Sequence, residues 1–104
     1  MAVRVSADSF QAEVLDAQGV VIADFYSDSC IPCKRMSPLL AEIEEEQTEI
    51  KLVKVNINYE SDLVERYEVQ AAPTLIFFKD GKEADRIRGA ARKADITEII
   101  EKLK

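Results

Sequence analysis

The 104-residue chain contains no histidine and no tryptophan, and only two cysteines, three glycines and three prolines. Two thiolates fill half of a tetrahedral zinc site, and without histidine nothing obvious completes it, so a metal centre would need a second chain or a small ligand. No metal is expected. Nowhere does an apolar run approach the ~18 residues needed to span a bilayer. The opening segment Met1-Ala2-Val3-Arg4-Val5-Ser6 has no basic stretch followed by an apolar one, so a cytoplasmic protein is expected. In a reducing compartment two cysteines suggest chemistry rather than a stapled scaffold. Basic residues are outnumbered 14 to 20, giving a net charge of −6. That balance works against long-range attraction to nucleic acid or anionic lipid, and neither partner is expected. Repeats, linkers and low-complexity tracts are absent from the sequence.

What remains is an apolar fraction of 47% against 33% charged residues, enough for one domain over residues 1–104 with its own core. Val3-Arg4-Val5 reads as a short strand. Ser6 then caps a segment in which Phe10 and Val14 share a helical face, ending near Gly19. Residues 20–26 form a nearly continuous branched apolar run, the pattern of a strand covered on both faces and central in its sheet. From Pro32 onward Met36, Leu39, Leu40 and Ile43 recur at helical spacing, with Glu42 and Glu44 to Glu46 on a solvated face. Pro38 inside this helix predicts a kink. Residues 52–57 read as a strand, 63–69 as a short helix, and 74–78 with 82–88 as a hairpin turning at Asp80-Gly81. Ile96, Ile99, Ile100 and Leu103 define a closing helix, with Arg92 and Lys93 where an acidic or hydroxyl cap is usual. The order βαβαβαββα predicts an α/β protein: a mixed sheet with helices on both faces.

Cys30 and Cys33 stand two residues apart in Asp24-Phe25-Tyr26-Ser27-Asp28-Ser29-Cys30-Ile31-Pro32-Cys33-Lys34, between a strand and a helix. A sulfur at a helix N-terminus is stabilised as thiolate by unpaired N–H groups and the helix dipole. Lys34 and Arg35 add positive charge, opposed by Asp28. The chemistry suggested is reversible thiol–disulfide exchange. A purely structural disulfide is the alternative, and closing so small a loop gains only about 2 kcal/mol. Asp24, inside an apolar strand, should have a raised pKa if it is buried, or else be solvated or paired. Pro73 in Ala71-Ala72-Pro73-Thr74 reads as a turn residue after an ordinary trans bond. Gly89 reads as a turn glycine leaving the last strand.

Four features together resemble the thioredoxin family: the strand followed by C-x-P-C-K with Pro38 beyond it, Asp24 six residues before Cys30, the Ala72-Pro73-Thr74 loop entering a strand, and Gly89 after the last strand. The match runs from Val3 to Leu103. It implies the thioredoxin fold and a protein-disulfide reductase that supports cell redox homeostasis. Cys30 would be the nucleophile and Cys33 the resolving thiol. Asp24 would be the buried acid that helps, through water, to move the Cys33 proton, and Lys54 the lysine approaching it. Resemblance also makes the Ala72-Pro73 bond cis, with the preceding backbone free to pair with substrate as an added strand. Ile31, Pro32, Ala72, Pro73, Thr74 and Gly89 would contact extended disulfide-bearing segments of protein substrates. An NADPH-dependent thioredoxin reductase is the implied electron donor, the chain a monomer, and no bound organic cofactor is expected.

The chain departs from the family pattern beside the sulfurs. Ser29 and Ile31 replace the usual tryptophan and glycine, and Tyr26 stands where another tryptophan is common. Partner choice should differ accordingly. No histidine lies between the cysteines, which tilts the couple toward a reducing rather than an oxidising role. Two rival readings are a thioredoxin-fold peptide-binding module whose cysteines matter little, and a disulfide oxidase or isomerase.

Overall fold

The computed structural model describes residues 3–104; Met1 and Ala2 of the opening segment lie outside the described residues. Its elements are β1 (Val3–Arg4), α1 (Ala7–Phe10), β2 (Val20–Tyr26), α2 (Ile31–Glu46), β3 (Lys51–Asn56), α3 (Ser61–Arg66), β4 (Thr74–Lys79), β5 (Lys82–Arg88) and α4 (Lys93–Leu103). The five described strands form one sheet in the order β1-β3-β2-β4-β5. β1, β3 and β2 run parallel, while β4 pairs antiparallel with both β2 and β5. The mixed α/β architecture is therefore as the residue pattern predicts, and β2 is the middle strand.

Alternation along the strands divides the apolar residues between two layers. Phe10, Val14 and Leu63 from the first and third helical segments pack on Val21, Ala23, Phe25, Ile76 and Phe78. Met36, Leu40 and Ile43 of α2 and Ile96 and Ile100 of α4 pack on Val20, Ile22, Leu52, Leu75 and Phe77. Asp24 and Lys54 share the parity of Ile22 and Leu52, which places them on the face that α2 covers.

Several details differ from the expected ones. The first helix passes into a π-helical turn at Gln11–Leu15, closed by the Asp16 N–H donating to the Gln11 carbonyl at 2.8 Å. α3 stops at Arg66 rather than reaching residue 69, because Glu68 adopts φ 53° and turns the chain out of the helix. α2 begins at Ile31, one residue before Pro32, and takes in Pro38 within its span. Its acidic face is not simply solvated: Lys93 Nζ donates to Glu42 at 2.5 Å and Glu46 at 2.8 Å, tying α4 to α2. The cap of α4 is supplied from within, since the Asp95 carboxylate accepts the Arg92 N–H at 3.2 Å.

Candidate active site

The end of β2 delivers the chain to the cysteines. Cys30 is the N-cap of α2, in extended conformation (φ −84°, ψ 110°), with Pro32 in the first turn where its missing N–H costs nothing. The two sulfurs form a disulfide across a Cα–Cα distance of 5.2 Å. The Cys33 N–H donates to Cys30 Sγ at 3.1 Å, so a helix-terminal amide points at the first sulfur. Cys30 is half-buried, whereas Cys33 is only 4% exposed. The asymmetry gives one sulfur access to a partner and withholds the other. Ile31, 64% exposed, and exposed Pro32 stand beside the accessible sulfur.

Asp24 is 2% exposed and lies opposite Lys54 on β3 and Leu75 on β4. Desolvation by burial pushes its carboxyl up to about 6, against the opposing pull of the Lys54 cation. The two do not form an ion pair, and Asp24 Oδ1 has no hydrogen-bond partner among the described residues. Lys54 Nζ instead donates to Ser37 Oγ at 3.3 Å and lies 5.6 Å from the Tyr26 ring centroid. Tyr26, Cys33, Ser37 and Lys54 line a common cavity of about 150 Å³. Asp28 lines the same cavity and accepts hydrogen bonds from the Asn56 side-chain amide at 3.2 and 3.3 Å. Ser37 stands one helical turn beyond Cys33. Its i+4 spacing from Cys33 is visible in the sequence, but nothing in that spacing marks it as part of the site.

The Ala72-Pro73 peptide bond is cis. Thr74 Oγ1 donates to the Ala71 carbonyl at 2.7 Å, and the Gly89 N–H donates to the Pro73 carbonyl at 2.8 Å. These bonds bring Ala72, Pro73, Thr74 and Gly89 to the same end of the sheet. Pro73 and Thr74 are buried, and the Ala72 N–H and carbonyl have no hydrogen-bond partner among the described residues. Gly89 has φ 92°, and a Cβ there would meet nothing within 4 Å. No group of three or more metal-ligating side chains occurs among the described residues, and no described helix is long and apolar enough to cross a membrane.

The family model described as Thioredoxin matches residues 1–102. "Thioredoxin" of Chlamydia caviae is 41% identical over 96 residues, covering 92% of each chain. "Thioredoxin" of Chlamydia pneumoniae is 37% identical over 98 residues, covering 94% of each. "Thioredoxin 1" of a Nostoc species is 34% identical over 102 residues, covering 97% of this chain and 95% of that one. A redox-capable disulfide at a helix N-terminus, on this sheet and with these relatives, makes the chain a member of the thioredoxin family, a dithiol–disulfide oxidoreductase acting on protein disulfides.

Proposed function

We propose that Cys30 is the attacking thiolate and Cys33 the resolving thiol in the reduction of protein disulfides. The Cys30 thiolate attacks one sulfur of the substrate, the substrate S–S bond breaks, and one substrate thiolate leaves. Cys33, deprotonated, then attacks Cys30 Sγ in the mixed disulfide, releasing the second substrate thiolate and forming the Cys30–Cys33 disulfide. Two electrons pass to the substrate, and its two thiolates take up protons. The observation that carries this assignment of roles is the sulfur asymmetry: Cys30 accessible and facing a helix-terminal N–H, Cys33 buried. A donated hydrogen bond and the helix dipole both favour the Cys30 thiolate over the thiol.

Asp24 takes the Cys33 proton during resolution, with Lys54 tuning its carboxylate. A carboxyl raised to about 6 by burial is a base suited to neutral pH. Ile31, Pro32, Ala72, Pro73, Thr74 and Gly89 form the surface that receives the substrate, the free backbone groups of Ala72 pairing with an extended segment. An NADPH-dependent thioredoxin reductase regenerates the dithiol, and the chain works as a monomer in the cytoplasm.

Cys33→Ser is expected to accumulate a covalent mixed disulfide through Cys30 when the reduced protein meets a disulfide-bearing substrate. Cys30→Ser should accumulate none. Non-reducing electrophoresis with mass mapping of the linked cysteine reads both. A Cys33→Ser variant that completes multiple turnovers like the parent would reject the two-thiol cycle.

A further inference from the structure

The ammonium group of Lys54 has two places to go. Across the β2–β3 register lies Asp24, and on α2 above it lies the Ser37 hydroxyl. The structure records the second: Lys54 Nζ donates to Ser37 Oγ at 3.3 Å and leaves Asp24 without an ion pair. Ser37 can accept that bond because its own proton is directed elsewhere, to the Cys33 carbonyl at 3.5 Å. A mid-helix serine commonly turns back on the preceding turn in this way. Here the turn it grips carries the buried sulfur.

Other charges surround Lys54. Arg4 lies beside it in the β1–β3 register, and Lys34 and Glu44 of α2 line the cavity of about 680 Å³ that opens over it. Asp28 borders the Cys33 end of this region and Glu60 the opposite end. Arg4 and Lys34 repel the Lys54 ammonium while Glu44, Asp28 and Glu60 attract it, so charges of both signs act on it besides Asp24. Opposite Asp24 on its other flank β4 presents only Leu75.

We propose that Ser37 is a positioning residue: its hydroxyl tethers Lys54 Nζ to the Cys33 turn of α2 and keeps the cation off the Asp24 carboxylate. Asp24 is thereby left for Cys33 rather than consumed in an ion pair. This consequence for turnover rests on the role given to Asp24 above; the tether itself does not.

The test is the titration of the Asp24 carboxyl carbon by NMR in the oxidised parent, Ser37→Ala, Ser37→Thr, Lys54→Met and the Ser37→Ala/Lys54→Met double variant. Ser37→Ala should lower the Asp24 midpoint by about one pH unit as Lys54 closes on it. Ser37→Thr, which keeps the hydroxyl, should restore the parent midpoint. In the Lys54→Met background the serine and alanine forms should titrate alike. An unchanged or raised midpoint in Ser37→Ala overturns the tether, as does the same fall without Lys54. Single-turnover resolution is measured on the same variants. If the midpoint falls while the acid limb of the resolution rate stays put, the tether stands and the role of Asp24 in resolution is what fails.

Discussion

Asp24 makes the stability of this protein depend on pH in an unusual direction. Its folded-state pKa is raised, from 3.8 to about 6, so between those values the native state holds a proton that the unfolded state has released. The stabilisation from that extra proton is fully present below about pH 4 and is lost as pH rises through 6. About two units correspond to about 3 kcal/mol. Asp24→Asn is therefore expected to raise the unfolding free energy of the oxidised protein by up to about 3 kcal/mol at pH 7, with the gain vanishing near pH 4. Denaturant melts at the two pH values check this, and an equal gain at both would remove burial as the cause. This carboxyl was legible in the sequence because an acid inside Val-Val-Ile-Ala-Asp-Phe-Tyr has little but low dielectric around it. Ser37 was not, since spacing from Cys33 fixes its place on α2 but does not tell which lysine of a distant strand arrives beneath it.

The β4–β5 hairpin shows how two glycines with similar backbone angles differ in consequence. Gly81 and Gly89 have φ of 82° and 92°, a region that a side chain disfavours. At Gly81 an added Cβ would overlap the backbone carbonyl of Leu15, which cannot swing aside. The turn is pinned there, since the Gly19 N–H donates to Asp80 Oδ1 at 2.7 Å and the Asp80 N–H to the Gly19 carbonyl at 3.0 Å. Gly81→Ala should cost more than about 2 kcal/mol, and Gly89→Ala only the backbone strain of about 1 kcal/mol. Comparing their urea midpoints tests the difference; equal losses would mean that the Leu15 overlap is relieved. Strands and the long helix were readable because their periodicity and the Asp80-Gly81 turn chemistry agree. The π-helical turn at Gln11–Leu15 and the early end of α3 were not. An i→i+5 bond has no residue signature, and Glu68 is a poor advertisement for a left-handed φ.

The order of elements predicted a mixed sheet, but the meeting of the two halves of the site follows from strand direction. β2 and β3 are parallel, and β4 is antiparallel to β2, so the exit of β2 toward Cys30 and the entry to β4 after Pro73 fall at one end of the sheet. Sequence order alone leaves that juxtaposition open, because it depends on which strand takes the place beside β2. The resemblance to a known family supplied what the residue pattern could not: the cis bond at Pro73 and the grouping of Gly89 with it. At the surface, the Lys93 bridge to Glu42 and Glu46 joins α2 to α4 over the second apolar layer. Two acidic side chains that looked merely solvated thus meet a cation from the far end of the chain.

Residues 21–25 are paired with β3 on one side and β4 on the other, whereas β1 holds to the sheet by two residues and β5 by one edge. Time therefore runs differently across the sheet. In native-state exchange the backbone amides of 21–25 should take up deuterium last, at the rate of global opening, and those of Val3 and Arg4 among the first. Comparable protection at both places would mean that the sheet opens as one body. Where the gradient holds, the strand bearing Asp24 and leading toward Cys30 keeps its shape through every partial opening of the molecule, and the floor beneath the redox centre lasts as long as the fold itself.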